Sequence, residues 1–370
     1  GGRLLRRWLT HPLKQLDSIQ ERLKRVEILF EQRTVRKDIR ESLKKLGDLE
    51  RLISRICVGR CTARDIRQLG FSLQVIPDLL AHTAELESDI LYQELQSLPN
   101  TSEWVNYIDE HIIDEPPATI RDGGIIRTGW NSELDELRDI AQNGKKYIAK
   151  IKDTLTQEAG ISSLKIGYNK IFGYYIEITN AHKDKVPDYF IRKQTLVNAE
   201  RYITPELKEI EEKILSAEDK SKALEADLFE QVREHIAQFS DEIQRIATTI
   251  STLDVYQSLA QIAFANGYSK PELDQGSTLE IIKGRHPVVE KTLPVDEPFI
   301  PNDIHLDQKK EQIMIITGPN MAGKSIILRQ TGLIVLLAQI GSYVPAEHAR
   351  IGLVDKIFTR VGASDNLAAG

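Results

Sequence analysis

One stretch limits what this chain can fold into more than any other: Gly318-Pro319-Asn320-Met321-Ala322-Gly323-Lys324-Ser325. Two glycines separated by four residues, then Lys and a hydroxyl residue, make a loop whose backbone N–H groups cradle phosphate. Such a loop has to leave a strand and open a helix. Before it, Gln312-Ile313-Met314-Ile315-Ile316-Thr317 is a short apolar run that reads as a buried parallel strand. After it, Ile326, Ile327, Leu328, Leu333, Ile334, Leu336 and Leu337 supply helix-length apolar content without proline. In that order the loop and the helix N-terminus face the phosphates of a nucleotide, where the helix dipole favours negative charge. Lys324 then reaches the outer phosphates and Ser325 holds Mg²⁺, which makes these two the candidate catalytic residues.

At 370 residues the chain is long enough for two or three domains. Two cysteines fit a reducing compartment, and Cys57 and Cys61 have no second Cys or His pair at ligand spacing. No signal segment and no apolar run long enough to cross a bilayer is present, so a cytoplasmic protein without membrane contact is expected. The opening Gly1-Gly2-Arg3 lacks an initiator Met, which suggests part of something larger. The net charge of −6 conceals an alternation. Residues 1–60 carry +8, 61–144 carry −11, 145–202 carry +5, 203–300 carry −9, and the remainder +1. The two basic blocks are candidates for contact with polyanions.

Along the chain, residues 12–30 place Leu13, Leu16, Ile19, Leu23, Val26 and Leu29 at spacings of three and four, an amphipathic helix. Residues 34–56 continue in that manner, with breaks at Gly47 and Gly59. Thr62 followed by Asp65 has the form of a capping box. Helical text continues to about Ile113, and a further helix is expected over residues 132–158. The period then changes. Residues 164–169 and 173–179 alternate and are rich in β-branched and aromatic side chains, two strands joined by a short turn. Residues 191–196 add a third. Thr204-Pro205 restarts helix with a hydroxyl N-cap and Pro at the first helical position. Helical text then runs to Asn266-Gly267, with Phe239, Ile243, Ile246, Ile250 and Leu253 as a heptad seam. Unbroken, about 60 residues would make a rod of about 90 Å, paired with the helix ending near residue 159 and leaving the β module at its tip. Beyond a turn-rich boundary at 267–276, strands alternating with helix suggest an α/β layer.

Several strings together resemble the MutS family of DNA mismatch-repair ATPases. They are the 318–325 loop with Arg329-Gln330-Thr331, Ile340-Gly341-Ser342-Tyr343-Val344-Pro345-Ala346, Phe358-Thr359-Arg360-Val361-Gly362-Ala363-Ser364-Asp365, and Gly284-Arg285-His286-Pro287. The β module adds Lys165-Ile166-Gly167-Tyr168-Asn169, Phe172-Gly173-Tyr174-Tyr175, Arg192-Lys193-Gln194-Thr195-Leu196 and Asn198-Ala199-Glu200-Arg201-Tyr202, and Arg3-Leu4-Leu5-Arg6-Arg7-Trp8-Leu9 fits as well. The resemblance covers the whole chain. It implies a multidomain α plus α/β protein: a helical core and lever with long antiparallel helices (1–150 and 211–268), an inserted β clamp for duplex DNA (151–210), and part of an ABC-type P-loop ATPase domain (269–370). It also implies ATP or ADP with Mg²⁺, with Phe299 stacking on adenine and Gly318, Pro319, Asn320, Met321, Ala322, Gly323, Lys324 and Ser325 around the phosphates. The implied partners are mismatched duplex DNA, a second MutS-type subunit and a downstream MutL-type protein, in a bacterial cytoplasm.

The clamp is also argued from its residues. Lys165, Lys170, Arg192, Lys193 and Arg201, with Asn169, Gln194, Thr195 and Asn198, offer donors suited to phosphate oxygens, contacts that hold DNA without reading sequence. Departures from the family pattern are informative. The mismatch-reading Phe-x-Glu does not occur in this sequence. The acidic strand that orients Mg²⁺ and water, and the serine that reaches the opposite subunit's nucleotide, are expected beyond Gly370. This segment is therefore expected to bind ATP without turning it over. Ile326-Ile327-Leu328 replaces a more polar run. Three other readings stay open at this point: the second bacterial MutS branch, a meiotic non-repair homologue, and a coiled-coil ABC-type chromosome-maintenance ATPase.

Overall fold

The computed structural model of the chain describes residues 1–86, 90–169, 173–294, 296–319 and 323–359. In order, the elements are α1 (Gly2–Thr10), α2 (Leu16–Glu31), α3 (Arg33–Lys44), α4 (Leu49–Cys57), α5 (Ala63–Gln74), α6 (Ile76–Ala81), α7 (Ile90–Gln96), α8 (Ser102–His111) and α9 (Ser132–Ala159). Then come β1 (Lys165–Asn169), β2 (Gly173–Thr179), β3 (Ile191–Thr195), β4 (Ala199–Ile203), α10 (Pro205–Ala237) and α11 (Ser240–Asn266). The remainder is β5 (Glu272–Asp274), β6 (Leu279–Gly284), α12 (Val289–Thr292), β7 (Asn302–Leu306), α13 (Lys324–Gln339) and β8 (His348–Gly352). Two compact units divide these elements. One comprises Gly1–Glu50, Phe71–Thr101 and the described residues from Asp241 on; the other comprises Arg51–Gly70 and Ser102–Ser240. No helix among the described residues is long and apolar enough to cross a membrane.

The second unit is built on the antiparallel pair α9 and α10. Both helices start where the side chains dictate. The Asn131 side chain accepts the Leu134 N–H (2.9 Å), and the Thr204 hydroxyl accepts the Leu207 N–H (3.2 Å) with Pro205 next to it. The capping box before α5 forms in both directions, Thr62 N–H to the Asp65 carboxylate and Asp65 N–H to the Thr62 hydroxyl. Ile148, Ile151 and Leu155 of α9 and Leu207 and Ile214 of α10 then bury against Ile176, Ile178, Phe190 and Tyr202. Each full burial of this kind stabilises by about 1.5–3 kcal/mol. That cluster seats an antiparallel sheet of order β1-β2-β4-β3 on the helix pair. The sheet has four strands where sequence periodicity indicates three. The fourth, Ala199–Ile203, buries four of its five residues and so lacks the alternation by which strands are recognised.

The rod is shorter than the sequence suggests. Helical text from 204 to 266 breaks after α10, where Gln238 and Phe239 N–H groups turn to the carbonyls of His235 and Ile236, three residues back. Phe239 packs on Trp104 there, at 5.3 Å between ring centroids. The 33 residues of α10 therefore extend about 50 Å rather than about 90 Å. The break carries neither Pro nor Gly, so a tertiary aromatic contact stands where sequence alone sees continuous helix.

Gly173 opens β2 at φ +74°, and a Cβ there would lie 1.7 Å from the Glu211 carboxylate of α10. The left-handed backbone calls for glycine, and any side chain would also displace the Glu211 carboxylate. Gly173→Ala is expected to destabilise this unit by about 1–3 kcal/mol, measured by chemical denaturation; an unchanged midpoint would show that the seat tolerates a methyl group.

In the first unit, buried Ile19, Leu23, Val26 and Leu29 form the inner face of α2 as the spacing indicates, while Leu13 and Leu16 stay half-exposed and α2 begins at Leu16. The second sheet has order β5-β8-β6-β7, with only β5 and β8 parallel. Ile281, Ile304, Ala349 and Ile351 from the sheet pack with Ile334, Val335 and Ala338 of α13. Residues 312–317 do not form the expected buried strand. They are irregular, and Ile313 and Ile315 are each 82% exposed. An apolar run becomes a strand only where a neighbour supplies donors and acceptors for its backbone. Among the described residues no strand pairs with this one.

The far end of α13 is firmly seated. The Gln339 amide donates to the carbonyls of Leu13 (2.9 Å) and Val354 (3.0 Å) and accepts the Val354 N–H (3.1 Å). Arg22 donates to the Ile340 carbonyl (3.3 Å) while its guanidinium lies 3.5 Å over the Trp8 ring. A helix pinned at its C-terminus in this way presents its N-terminus in a fixed direction.

Candidate functional site

Strand pairing sorts the expected DNA-contacting residues into groups. Residues directly opposite on neighbouring strands project from the same face. Lys165 faces Glu177, Glu177 faces Arg201, and Arg201 faces Gln194, so a polar row crosses all four strands. Within it Arg201 is engaged internally. Its Nε donates to Glu177 (3.1 Å), its Nη1 donates to Gln194 (3.0 Å), and the guanidinium lies 4.2 Å over the Tyr175 ring. Arg201 and Gln194 thus brace the face, and Lys165 is an exposed cation on it.

Along the β3 edge the pairing slips between Arg192 and Gln194, leaving Lys193 as the extra, exposed residue of a bulge. Arg192 pairs opposite Tyr202 and projects to the other face, where its guanidinium meets Glu200 at 3.4 Å. Thr195 is exposed opposite Glu200. Asn198, exposed at the hairpin end, accepts the Asn180 N–H through its carbonyl (3.1 Å). Asn169 lies at the opposite end of β1 from Lys165, about 13 Å away along the strand. Lys170 falls outside the described residues.

One group was not visible in the strand pattern. Residues 180–185 form a 3-10 turn bearing His182, Lys183 and Lys185, and it packs beside β2 and β4. Lys183 pairs with Glu200 at 2.9 Å. The run His182-Lys183-Asp184-Lys185 inside the basic block was the available signal; without period-2 alternation it reads as a loop. By contrast, the basic block at the start of the chain is largely committed to packing. Arg3 pairs with Asp48 (2.6 Å) and Glu50 (2.7 Å), Arg25 pairs with Glu94, and buried Arg36 donates to the carbonyls of Leu29 and Phe30.

At the glycine loop, Gly323 takes φ +84° as the residue before α13, a left-handed turn that Gly adopts without cost. The N–H groups of Ile326 and Ile327 both reach back to the Gly323 carbonyl. The first N–H groups of a helix have no intrahelical acceptor, and no acidic side chain occupies the first turn of α13. Lys324 curls back so that its ammonium donates to the carbonyls of Gly318 and Pro319. Gly318, Pro319 and Ser325 are exposed, and Phe299 is half-buried in the segment leading to β7. Asn320, Met321 and Ala322, and the string 360–365, lie outside the described residues. No cluster of three acidic, His or Cys side chains able to hold a metal exists among the described residues. A divalent cation here would rest on the Ser325 hydroxyl together with oxygens of its own ligand, the manner in which Mg²⁺ is commonly held.

The Gly284-Arg285-His286-Pro287 segment has a packing role. Arg285 donates to the carbonyls of Asn266 and Gly267 at the end of α11 (3.0 Å each) and pairs with Glu290 (3.1 Å). His286 is 1% exposed, and its Nδ1 accepts the N–H groups of Val288 and Val289. Burial, with Arg329 adding to it, pushes its pKa below the usual imidazole value.

Two family models match the chain. The family model "MutS domain III" matches residues 1–260, which include the helix pair and the β module, and "MutS domain V" matches residues 314–370, which include the glycine loop. The DNA mismatch repair protein MutS of Salinibacter ruber is 52% identical over 370 residues, all of this chain and 41% of the relative. That of Bacteroides fragilis is 50% identical over 370 residues, covering 43% of its length. That of Acetivibrio thermocellus is 46% identical over 373 residues, covering 42%. The chain thus spans about two-fifths of the length of the curated relatives it matches. With a domain model matching well over half its residues and this identity running from end to end, the chain belongs to the MutS family.

Proposed function

We propose that residues 151–210 are a clamp for duplex DNA, carried by the α9–α10 pair, in a protein that couples nucleotide binding to mismatch repair. The observation that carries this reading is the β module itself. A four-stranded sheet is seated on the end of a long helix pair, within a block of net charge +5, and presents Lys165 on one face and Arg192 and Lys193 along an edge. Cations on a rigid sheet bind the phosphate backbone electrostatically, in a way that is indifferent to base sequence and falls steeply with salt. In this reading residues 1–150 and 211–268 are core and lever, and residues 269–370 contribute to a P-loop ATPase domain of the ABC type.

The glycine loop fits a nucleoside triphosphate with Mg²⁺. When bound, the metal would neutralise charge on the outer phosphates. The Lys324 ammonium, which now satisfies two carbonyls, would exchange them for phosphate oxygens, and Ser325 would offer its hydroxyl to the metal. Phe299 would stack on the base. These residues account for binding of the nucleotide and its metal. A second MutS-type subunit and a MutL-type protein are the partners this assignment carries with it.

A gel-shift titration of the chain with a fully paired duplex at several salt concentrations tests the clamp. Binding should weaken linearly in log–log form as salt rises. Arg192→Ala with Lys193→Ala should lower the slope by about 0.9 for each phosphate that is no longer neutralised. Equal binding by wild type and double variant at every salt concentration would refute the reading.

A further inference from the structure

Glu200 is an acid in a place where an acid weakens the proposed binding. It is 4% exposed, on the β4 strand of a module otherwise rich in lysine and arginine. Isolated burial of a carboxylate is costly, and each of its oxygens is therefore used. Oε1 meets the Lys183 ammonium at 2.9 Å and the Arg192 guanidinium at 3.4 Å, and Oε2 accepts the Tyr202 hydroxyl. The two cations differ from the acid between them: their side chains are 54% and 59% exposed. A lysine carries three donors and an arginine five, so most of their donors face solvent. They arrive from different elements, Lys183 from the 3-10 turn and Arg192 from the β3 edge. The turn is fixed against the β3–β4 hairpin by Asn180, whose N–H and side chain donate to the carbonyls of Asn198 and Val197.

Resting on the clamp reading, we infer that Glu200 is a positioning residue that holds Lys183 and Arg192 as a two-cation fork for a backbone phosphate of duplex DNA, and that Lys183 is a further contact residue. One buried acid between two cations leaves a single net positive charge. That charge is held in a fixed geometry in place of two flexible side chains, whose ordering would otherwise oppose binding.

The inference predicts an effect of opposite sign to simple charge counting. Glu200→Gln removes a negative charge from a polyanion-binding surface, and counting alone expects tighter binding. Positioning expects the reverse: duplex affinity of the whole chain, read by fluorescence anisotropy, falls roughly tenfold, the scale of one charge-assisted hydrogen bond. Lys183→Ala is expected to lower the salt slope by about 0.9. In the Lys183→Ala, Arg192→Ala background, Glu200→Gln should produce no further loss, and a further loss there would show a merely structural role and overturn the proposal. Duplex binding by Glu200→Gln that is equal or tighter overturns it too. If Glu200→Gln does not fold, an unchanged salt slope for Lys183→Ala, a substitution of an exposed side chain, does the same. Lys165→Ala and Lys193→Ala separate the two levels. If they weaken binding while the Lys183 and Glu200 variants do not, only the fork is wrong; if none of these variants moves duplex affinity, the clamp reading itself fails.

Discussion

Glu225→Ala is expected to destabilise the unit carrying the β module by about 3–5 kcal/mol, the range for breaking a buried ion pair from one side. Glu225 lies on α10 and is 2% exposed. Its carboxylate accepts the backbone N–H groups of Gly124 (2.8 Å), Ile125 and Ile126 (2.8 Å), and pairs with Arg138 of α9 at 2.6 Å. Four donors from the loop and from α9 therefore converge on one side chain of α10. Truncation leaves three amides and a guanidinium facing a dry gap, and Ile125 and Ile126, both fully buried, are deprived of the acceptor that turns their backbone inward. Glu225→Gln keeps an acceptor toward the amides and should cost less. Denaturant titration measures the loss, and amide hydrogen exchange at 124–126 should show the protection of that loop falling first. A destabilisation below about 1 kcal/mol for the alanine variant would mean that the loop is held chiefly by its apolar side chains.

Lys324→Ala is expected to weaken ATP binding by about 10–100-fold, the equivalent of about 1.5–3 kcal/mol for a hydrogen bond to a charged group. The ammonium already lies over the loop, donating to the Gly318 and Pro319 carbonyls. In the proposed site the same donors would go to phosphate oxygens. Lys324→Arg should not restore the affinity, because a planar guanidinium is a poor substitute for a compact charge at that curvature. Titration with a fluorescent ATP analogue in the presence of Mg²⁺ gives the result. Equal affinity for wild type and Lys324→Ala would remove the loop from the nucleotide reading.

How much of the fold is legible in the sequence depends on whether the signal is local. Thr62 with Asp65 and Thr204 with Pro205 act over three residues, so their caps appear in the structure as the text indicates. The two strands at 165–169 and 173–179 alternate openly and are visible; Ala199–Ile203, buried along nearly its whole length, is not. At the break at 238–239 Phe239 packs on Trp104, more than a hundred residues away, a contact that no window of helical text contains. Residues 312–317 fail in the opposite sense, since their composition suits a strand but pairing decides whether one forms.

The site divides in the same way. The turn at Gly323 and the helix that opens at Lys324 are readable because a glycine loop of this kind encodes its geometry in consecutive residues. The residues proposed to contact DNA are readable as a composition only. That Arg201 is bound to Glu177 and Gln194 while Lys193 stands free of the pairing on a bulge follows from a one-residue slip in register, which no spacing rule anticipates. Lys183 acquires its meaning only through Glu200, seventeen residues on.

A clamp that grips the DNA backbone without reading bases should bind a fully paired duplex and the same duplex with a single mismatch alike. The decisive experiment compares the affinity of this chain for the two, each measured across salt. An affinity ratio near one at every salt concentration and two parallel lines are expected, because phosphate contacts carry no sequence information. A mismatch preference of about tenfold or more that persists as salt is raised, the discrimination expected of direct base contacts, would contradict the clamp.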